Sequence, residues 1–284
     1  MKQRPTFPAQ LDATLAKNRP NAQGAFMPRG PLQGKPATAS LQLAAALPAI
    51  KAKPVHHLPA KVVPHGVGMD SSAVRTRMVQ KLAEGGVRDP LVLAAMGAIE
   101  RHRFVDSALA NQAYEDTSLP IGLGQTISKP GVVSRMIELM RNGATGRLGR
   151  VLEIGTGCGY QAAVLSMVAD EVYSIERLRG LHDKARENLR LLRVANLHLL
   201  FGDGMVGYAK GAPYAAIIAA AGGEAIPQAW VDQLAMGGRL VAPVAQGGTS
   251  GGAQALMVID KTPQGIRQTV LEAVHFVPLK SGVA

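Results

Sequence analysis

The sequence predicts a doubly wound α/β fold: a mostly parallel sheet with helices on both faces and antiparallel strands at its C-terminal end. The first observation is a unit of buried strand, glycine loop and helix at residues 151–168. Second, strand-like apolar runs alternate with helical patterns over residues 172–243, which is typical of a parallel sheet covered by helices. Third, two strand-like runs at 253–260 and 270–277 follow a glycine-rich turn at 247–252, as antiparallel strands do.

Capping residues and helical spacing indicate the elements that precede the glycine loop. A first helix, capped by Ser71 or Ser72, ends before Gly85, and Asp89 caps a second helix. The polar segment 113–130 is too irregular for a strand or a helix, and a third helix opens at its final proline. After the loop we expect strands at 172–175, 197–201, 215–220 and 239–243, and helices at 178–194 and from Pro227.

Charge and proline divide the chain of 284 residues into two regions. Residues 1–69 hold nine of the Lys and Arg residues, one acidic residue and ten of the eighteen prolines, which predicts a disordered basic extension. The positive charge of this extension could contact RNA or an acidic membrane. The alternatives are a solvated tail that has no specific partner, and an organellar transit peptide. We expect residues 70–284 to form the catalytic domain, with helices and an active-site loop at 70–148 and the sheet at 149–284.

Cysteine content and hydropathy limit the setting in which the protein works. A single cysteine excludes an intrachain disulfide and fits a reducing compartment. No apolar run approaches the ~20 residues of a membrane span, and no secretory signal is seen. We therefore expect a cytoplasmic protein, and we expect it to be a monomer.

The glycine loop has a spacing that separates it from nucleotide-phosphate loops. Residues 153–160 read Glu-Ile-Gly-Thr-Gly-Cys-Gly-Tyr. A dinucleotide loop would place its last glycine at position 160, which holds Tyr160, and no P-loop lysine is present. The pattern resembles motif I of the class I S-adenosylmethionine (SAM) methyltransferases, whose fold is Rossmann-like, and an ordinary tight βα turn is the alternative. The candidate cofactor-binding residues of this stretch are Glu153, Gly155, Thr156, Gly157 and Gly159.

Acidic residues end the next two predicted strands and support a nucleoside site. Glu176 lies about 20 residues beyond the loop, where a carboxylate can accept hydrogen bonds from both ribose hydroxyls. Asp203 and Gly204 follow the run 197–201, where an acceptor can meet the adenine amine. Three acidic groups at three consecutive strand ends are hard to explain as surface charge alone.

Three stretches together resemble the protein-L-isoaspartate O-methyltransferases. They are 119–128 (Leu-Pro-Ile-Gly-Leu-Gly-Gln-Thr-Ile-Ser), the glycine run at 153–160, and 271–279 (Leu-Glu-Ala-Val-His-Phe-Val-Pro-Leu). The resemblance covers about residues 72–284 and leaves the basic extension outside. It implies Ser128 as the active-site residue, with Gln125, Thr126 and Ile127 of the same loop at the cofactor.

The resemblance implies methyl transfer from SAM to the free carboxylate of L-isoaspartyl residues, with D-aspartyl residues an open extension, as the first step of protein repair. S-adenosylhomocysteine is the product. The chain departs from the family at 213–215 (Pro-Tyr-Ala, where the family has Pro-Phe-Asp) and at 221–224 (Ala-Gly-Gly-Glu, in place of a turn with proline). We expect these changes to affect substrate affinity more than the reaction.

The chemistry of a carboxylate acceptor suits the residues that the loop offers. A carboxylate is ionised at neutral pH, so no general base is needed, and Ser128 can orient it by donating a hydrogen bond. From spacing alone, Ser128 could instead cap the helix that Pro130 opens. His102 fits a surface or packing role and Cys158 a small loop residue. Tyr114, Glu115 and Asp116 also fit solvated loop positions, and no metal-ligand cluster is found.

Two other classes of function stay open. A SAM methyltransferase acting on RNA or a small molecule is supported only by the basic extension. A non-catalytic SAM-fold binding module is supported only by the altered region around residues 213–224.

Overall fold

A computed structural model describes residues 72–247 and 253–284. The predicted extension at 1–69, the capping choice at Ser71 and most of the turn at 247–252 lie outside them. In the described part the helices are α1 Ser72–Glu84, α2 Pro90–Ala98, α3 Pro130–Arg141, α4 Tyr160–Val168, α5 Arg179–Arg190 and α6 Gln228–Gln233. The strands are β1 Leu119–Gly122, β2 Gln125–Ile127, β3 Leu148–Ile154, β4 Ala169–Glu176, β5 Leu197–Phe201, β6 Tyr214–Ala219, β7 Leu234–Ala245, β8 Gln254–Thr262 and β9 Gly265–Val274.

The main sheet confirms the predicted doubly wound fold. Within the described residues it has seven strands in the order β5-β4-β3-β6-β7-β8-β9. Strands β3 to β7 pair in parallel with their neighbours, whereas β8 and β9 pair antiparallel. The chain turns from β3 toward β5 and then returns to β6 on the other side of β3. This reversal opens a crevice at the carboxyl ends of β3 and β6, where ligands bind in such sheets.

The core lies on both faces of the sheet, because neighbouring residues of a strand point to opposite sides. On one face Val151 of β3 and Ala216 of β6 join a buried cluster that includes residues of α1 to α5. On the other face Leu152 and Ile217 pack in a second cluster with Trp230 of α6. Helices therefore cover both faces, as predicted, with the larger layer on the side of α1 to α5.

The predicted start of α2 is confirmed by its capping contacts. The carboxylate of Asp89 accepts hydrogen bonds from the amides of Leu91 (2.9 Å) and Val92 (3.2 Å) at the start of α2. Its other oxygen accepts a bond from Arg141 of α3 at 2.7 Å, with both side chains almost fully buried. The cap of α2 is therefore also the contact that fixes α3 against it.

The prediction that segment 113–130 contains no strand was wrong. Leu119 pairs with Ile127, and Pro120 with Thr126, to form the antiparallel hairpin β1–β2. Leu119 and Ile121 are buried while Pro120 is exposed, so the two-residue alternation of a strand is present. Proline and glycine at the alternate positions hid this alternation in the sequence.

The ends of one helix and two strands differ from the predicted ends. Helix α5 ends at Arg190 rather than at 194, β7 begins at Leu234 rather than at 239, and β9 spans Gly265–Val274 rather than 270–277. Residues 275–277 leave the sheet and turn toward the crevice. No helix in the described ranges is long and apolar enough to cross a membrane.

Candidate functional site

A cavity of about 420 Å³ occupies the crevice at the carboxyl ends of the central strands. The glycine loop after β3 forms its floor, the hairpin β1–β2 lies on one side, and residues 277–280 lie on another. Among the predicted site residues, those that line this first cavity are Gln125, Thr126, Ile127, Ser128, Gly155, Thr156, Gly157, Glu176 and Gly204. Glu153, Gly159 and Asp203 are not among its lining residues.

The glycines of the loop have different reasons to lack a side chain. Gly157 has φ of 57°, and a Cβ there would lie 3.2 Å from the side chain of Ile121 in the hairpin. Gly159 has φ of 91°, and its Cβ would lie 2.8 Å from Leu189 of α5. Gly157 therefore keeps the cavity floor low beneath the hairpin, whereas Gly159 lets α5 pack closely behind the loop.

Glu176 holds the glycine loop and faces the first cavity. One carboxylate oxygen accepts a hydrogen bond from the Gly157 amide at 2.9 Å, and the other accepts one from the Leu178 amide at 2.9 Å. A carboxylate has about four acceptor positions, so acceptors remain for a ligand. Its position at the end of β4 is the one that the sequence predicted.

Glu153 lies beneath the loop and is completely buried. Burial raises the pKa of its carboxyl to about 8, although the hydroxyl of Ser174 donates a hydrogen bond to one oxygen. The side chain of Gln161, a residue that lines the cavity, also favours the charged carboxylate, but burial outweighs both contacts. Thr156, also in the lining, contacts Ser174 at 2.6 Å and so connects Glu153 to the cavity wall.

Asp203 is engaged by the backbone on both oxygens. It caps the short 3₁₀ segment Gly204–Val206 by accepting from the Met205 amide at 2.8 Å, and it accepts from the Gly282 amide at 2.6 Å. Gly204 is the residue of this pair that reaches the cavity. The carboxylate thus ties the C-terminal segment to the end of β5.

Ser128 lies where the first cavity meets a second one. The second cavity, of about 1060 Å³, lies between α1, α3 and residues 272–277. Four residues line both cavities: Thr126, Ser128, Ala220 and Val277. Within residues 72–247 and 253–284 the half-buried Ser128 hydroxyl makes no hydrogen bond. The cap position of α3 is Lys129, so the alternative that Ser128 caps this helix does not describe the structure.

Several residues that position the site were not predicted from the sequence. Lys184 of α5 donates to the Ile121 carbonyl at 2.8 Å and so fastens the hairpin over the cavity. Asn188, one turn further along, donates to the Cys158 carbonyl of the glycine loop at 2.9 Å. The basic face of α5 gave the only signal in the sequence, and it also fits a solvated helix face.

The region that departs from the family is part of the cavity wall. Ala220 and Ala221 line the first cavity. The Gly222 amide donates to the Val277 carbonyl at 2.9 Å, and the Leu279 amide donates to the Gly222 carbonyl at 2.8 Å. The wall therefore forms through backbone hydrogen bonds despite the altered side chains.

Neither Cys158 nor His102 offers a catalytic group. Burial raises the pKa of the Cys158 thiol to about 11, so the thiol is neutral near pH 7. His102 contacts the buried Tyr114 hydroxyl at 2.6 Å and lines neither cavity. Across the described part of the chain no group of three His, Cys, Asp or Glu residues could hold a metal ion.

Comparisons with known proteins agree on one family. The model of the family "Protein-L-isoaspartate(D-aspartate) O-methyltransferase (PCMT)" matches residues 73–284. The chain is 62 % identical over 221 residues to a protein-L-isoaspartate O-methyltransferase of Methylibium petroleiphilum, covering 77 % of this chain and 81 % of that one. It is 53 % identical over 285 residues to the protein of the same name in Leptothrix cholodnii, covering 98 % and 94 %.

Solved structures give the same result for the fold. A protein-L-isoaspartate O-methyltransferase superposes with a TM-score of 0.66 at 27 % identity, over 74 % of this chain and 67 % of that one. A Plasmodium falciparum protein, described as a putative member in complex with S-adenosyl-L-homocysteine, has a TM-score of 0.62 at 23 % identity. That comparison covers 72 % of this chain and 98 % of the other.

The buried carboxyl of Glu153 predicts a particular pH dependence of stability. Its pKa is about 8 in the folded protein against an ordinary 4.5, so between these values the unfolded chain releases a proton that the folded protein keeps. The contribution of Glu153 to the free energy of unfolding therefore falls as pH rises through this range, by up to about 1.4 kcal/mol per pH unit. Glu153→Gln removes this loss. In urea denaturation without cofactor, the stability gained by the variant should grow from about pH 5 to about pH 8. A difference that is constant or shrinks with pH would contradict a neutral Glu153.

Proposed function

Because the chain belongs to the protein-L-isoaspartate(D-aspartate) O-methyltransferase family, we propose that it methylates the free carboxylate of L-isoaspartyl residues in damaged proteins, with SAM as the methyl donor. The observation that carries this proposal is the place of Ser128. Its hydroxyl, free of hydrogen bonds within the described residues, lies at the junction of two cavities, one floored by the glycine loop and the other open toward α1 and α3.

The first cavity suits SAM, which supplies an electrophilic methyl group on a sulfonium. The bare Gly157 lets a ligand lie close to the loop backbone, and Glu176 has acceptors left for the ribose hydroxyls. The hairpin residues Gln125, Thr126 and Ile127 line one side of the first cavity, and Gly155 and Thr156 of the glycine loop line its floor. Gly204 contributes to the wall, whereas Glu153, Gly159 and Asp203 support it from behind.

The chemistry at Ser128 needs orientation rather than proton transfer. The acceptor carboxylate, with a pKa near 4, is ionised at neutral pH, so a hydroxyl that donates a hydrogen bond is enough to aim it. No histidine lines the first cavity in the described part of the chain, and the one cysteine there is a neutral thiol. An amine or phenol acceptor would require a base at the junction, and the described residues that line both cavities, Thr126, Ser128, Ala220 and Val277, include none; the histidine of the second cavity is His275.

The second cavity has the size and position for the peptide that carries the damaged residue. Among the described residues, those that line both this cavity and the first one are Thr126, Ser128, Ala220 and Val277. A carboxylate attached to a backbone can enter this junction while its flanking residues stay in the wider space. Among the altered residues, Ala221 lines the first cavity next to Ala220 of the junction, and we expect the altered stretch 221–224 to affect peptide affinity.

The direct test compares an isoaspartyl peptide with its aspartyl twin. With labelled SAM, we expect base-labile methyl ester on the isoaspartyl peptide only, because the twin carries its carboxylate one methylene further from the main chain, which is itself one atom shorter. A third reaction, with the peptide omitted, controls for methylation of the enzyme itself. Equal labelling of the two peptides would contradict the proposal, and SAM binding without any product would favour a non-catalytic module.

Two substitutions should separate the reaction step from cofactor binding. Ser128→Ala removes the orienting hydroxyl, so we expect kcat to fall about 10- to 100-fold while SAM affinity measured by calorimetry stays within about twofold. Glu176→Ala should instead raise the Kd for SAM about 10-fold or more, since it removes ribose acceptors and the Gly157 contact.

Glu171→Ala is the matched control for Glu176, because Glu171 lies on the same strand but pairs with Arg150 at the surface. It should change neither the Kd for SAM nor kcat. If Ser128→Ala impaired SAM binding, or Glu176→Ala left it intact, the roles given to these residues would be wrong.

We also propose that residues 70–284 are the methyltransferase domain and that residues 1–69 are not needed for the reaction. The family match over 73–284 supports this boundary, and the buried, unpaired Cys158 supports a cytoplasmic setting. Deleting 1–69 should leave kcat and KM for the isoaspartyl peptide within about twofold. A collapse of activity toward the peptide would contradict the boundary, and tail-dependent methylation of RNA would favour an RNA acceptor.

A further inference from the structure

The carboxylate of Asp116 reaches across a turn of the chain to the start of α3. Its Oδ1 accepts a hydrogen bond from the Gly131 amide at 2.6 Å, and its Oδ2 lies 3.7 Å from the ammonium of Lys129. The interpretation of Asp116 as a solvated loop residue is therefore incomplete, since the half-exposed side chain bonds to the backbone of a helix fifteen residues away. A negative charge at this end of a helix is favoured by the helix dipole.

The absence of a side chain at position 131 makes this approach possible. A Cβ on Gly131 would lie 2.8 Å from Oδ1 and 3.2 Å from Oδ2 of Asp116, closer than a carbon atom allows. Alanine is a better helix former than glycine, so α3 alone would favour a larger residue here. The contact between the Asp116 carboxylate and the Gly131 amide explains why glycine stands at position 131.

The loop that carries Asp116 is itself held from the core. Arg101, which is fully buried, donates from Nε to the Ala113 carbonyl at 2.7 Å and from Nη2 to the Thr117 carbonyl at 3.4 Å. These bonds bracket the residue and fix its backbone on both sides. The side chain of Asp116 is thereby directed to the helix rather than left in solvent.

The Gly131 amide, which donates its hydrogen bond to Asp116, is the amide that the Ser128 hydroxyl would otherwise accept from. A capping serine hydroxyl accepts from the amide two or three residues further along the chain. Two residues after Ser128 stands Pro130, which has no N–H, and three residues after it stands Gly131. With Asp116 on the Gly131 amide, the Ser128 hydroxyl is left without a hydrogen bond in the described structure, at the junction of the two cavities.

We propose that Asp116 is a positioning residue for methyl transfer: by capping α3 at Gly131 it keeps the Ser128 hydroxyl free for the substrate carboxylate. This inference rests on the role proposed for Ser128. Loss of the carboxylate releases the Gly131 amide, and the serine hydroxyl then turns back to cap its own helix. The cofactor cavity does not include Asp116, so SAM binding is unaffected.

The first experiment measures kcat, KM and SAM affinity in three variants. Asp116→Ala should lower kcat about tenfold with the Kd for SAM unchanged, and Asp116→Asn, which keeps an acceptor oxygen, should restore most of the rate. Gly131→Ala should also lower kcat, because the added Cβ displaces the carboxylate although it favours the helix. Because Asp116 and Gly131 also line the second cavity, a direct effect on the peptide would appear as a raised KM, whereas the positioning role lowers kcat.

Asp106→Ala is the matched control, because Asp106 makes the same kind of bond to the Ala108 amide, at 2.9 Å, and lines neither cavity. It should leave kcat unchanged. If Asp116→Ala left kcat intact, or if Gly131→Ala behaved as wild type, the proposal would be overturned.

A double-mutant cycle shows whether Asp116 acts through Ser128. In a Ser128→Ala background there is no hydroxyl to free, so Asp116→Ala should cost no further rate. An equal loss in both backgrounds would overturn the positioning role while leaving the proposed function standing. A wild type inactive on isoaspartyl peptides would instead overturn the function. Amide exchange at position 131 should be slow in wild type and in Ser128→Ala, where Asp116 holds the amide, and fast in the double variant Asp116→Ala, Ser128→Ala, where neither acceptor remains; this tests the contact independently of activity.

Discussion

The hydrogen bond from the Gly157 amide to the Glu176 carboxylate is the contact on which the site depends. It joins the loop after β3 to the end of β4, and the amides of Gly155 and Thr156 reinforce it by donating to the Ile175 carbonyl at 2.8 and 3.2 Å. With the loop held against β4, its bare side faces the crevice left by the reversal of strand order. The hairpin can then rest Ile121 on Gly157, which closes the first cavity from above.

Backbone contacts close the cavity on its remaining side, where the chain departs from the family pattern. Gly222 and Gly223 hydrogen-bond to residues 277–279 and to β7 through amides and carbonyls alone. The main chain sets the geometry of this wall, and a Cβ on Gly222 would lie 2.6 Å from the side chain of Gln254. Of the altered side chains at 221–224, only that of Ala221 is among the described residues that line the first cavity, beside Ala220 at the junction.

The sequence predicted what is encoded locally and missed what depends on distant contacts. The strand, glycine loop and helix at 151–168, the cap at Asp89 and the acidic strand ends each lie within one short stretch, so spacing was enough. The hairpin β1–β2 was missed because proline and glycine interrupt its alternation. The contacts of Asp116 with Gly131, Lys184 with Ile121 and Asp203 with Gly282 were missed because their partners are 15, 63 and 79 residues apart. The resemblance identified Ser128, but only the structure shows the two cavities meeting there.

A reaction without proton transfer makes different demands on its site than one with a base. The nucleophile arrives already charged, so the rate depends on where the carboxylate is held and on how little the holding group moves. A serine that also capped a helix could hold the substrate carboxylate only by giving up its hydrogen bond to the helix backbone in every turnover. In the proposed arrangement the cap belongs to a carboxylate fifteen residues away, which would separate the two tasks and keep α3 fixed whether or not substrate is bound. Gly131 and Gly157 lack a side chain for the same physical reason, since another side chain approaches the backbone of each. That side chain is Asp116 at Gly131 and Ile121 at Gly157.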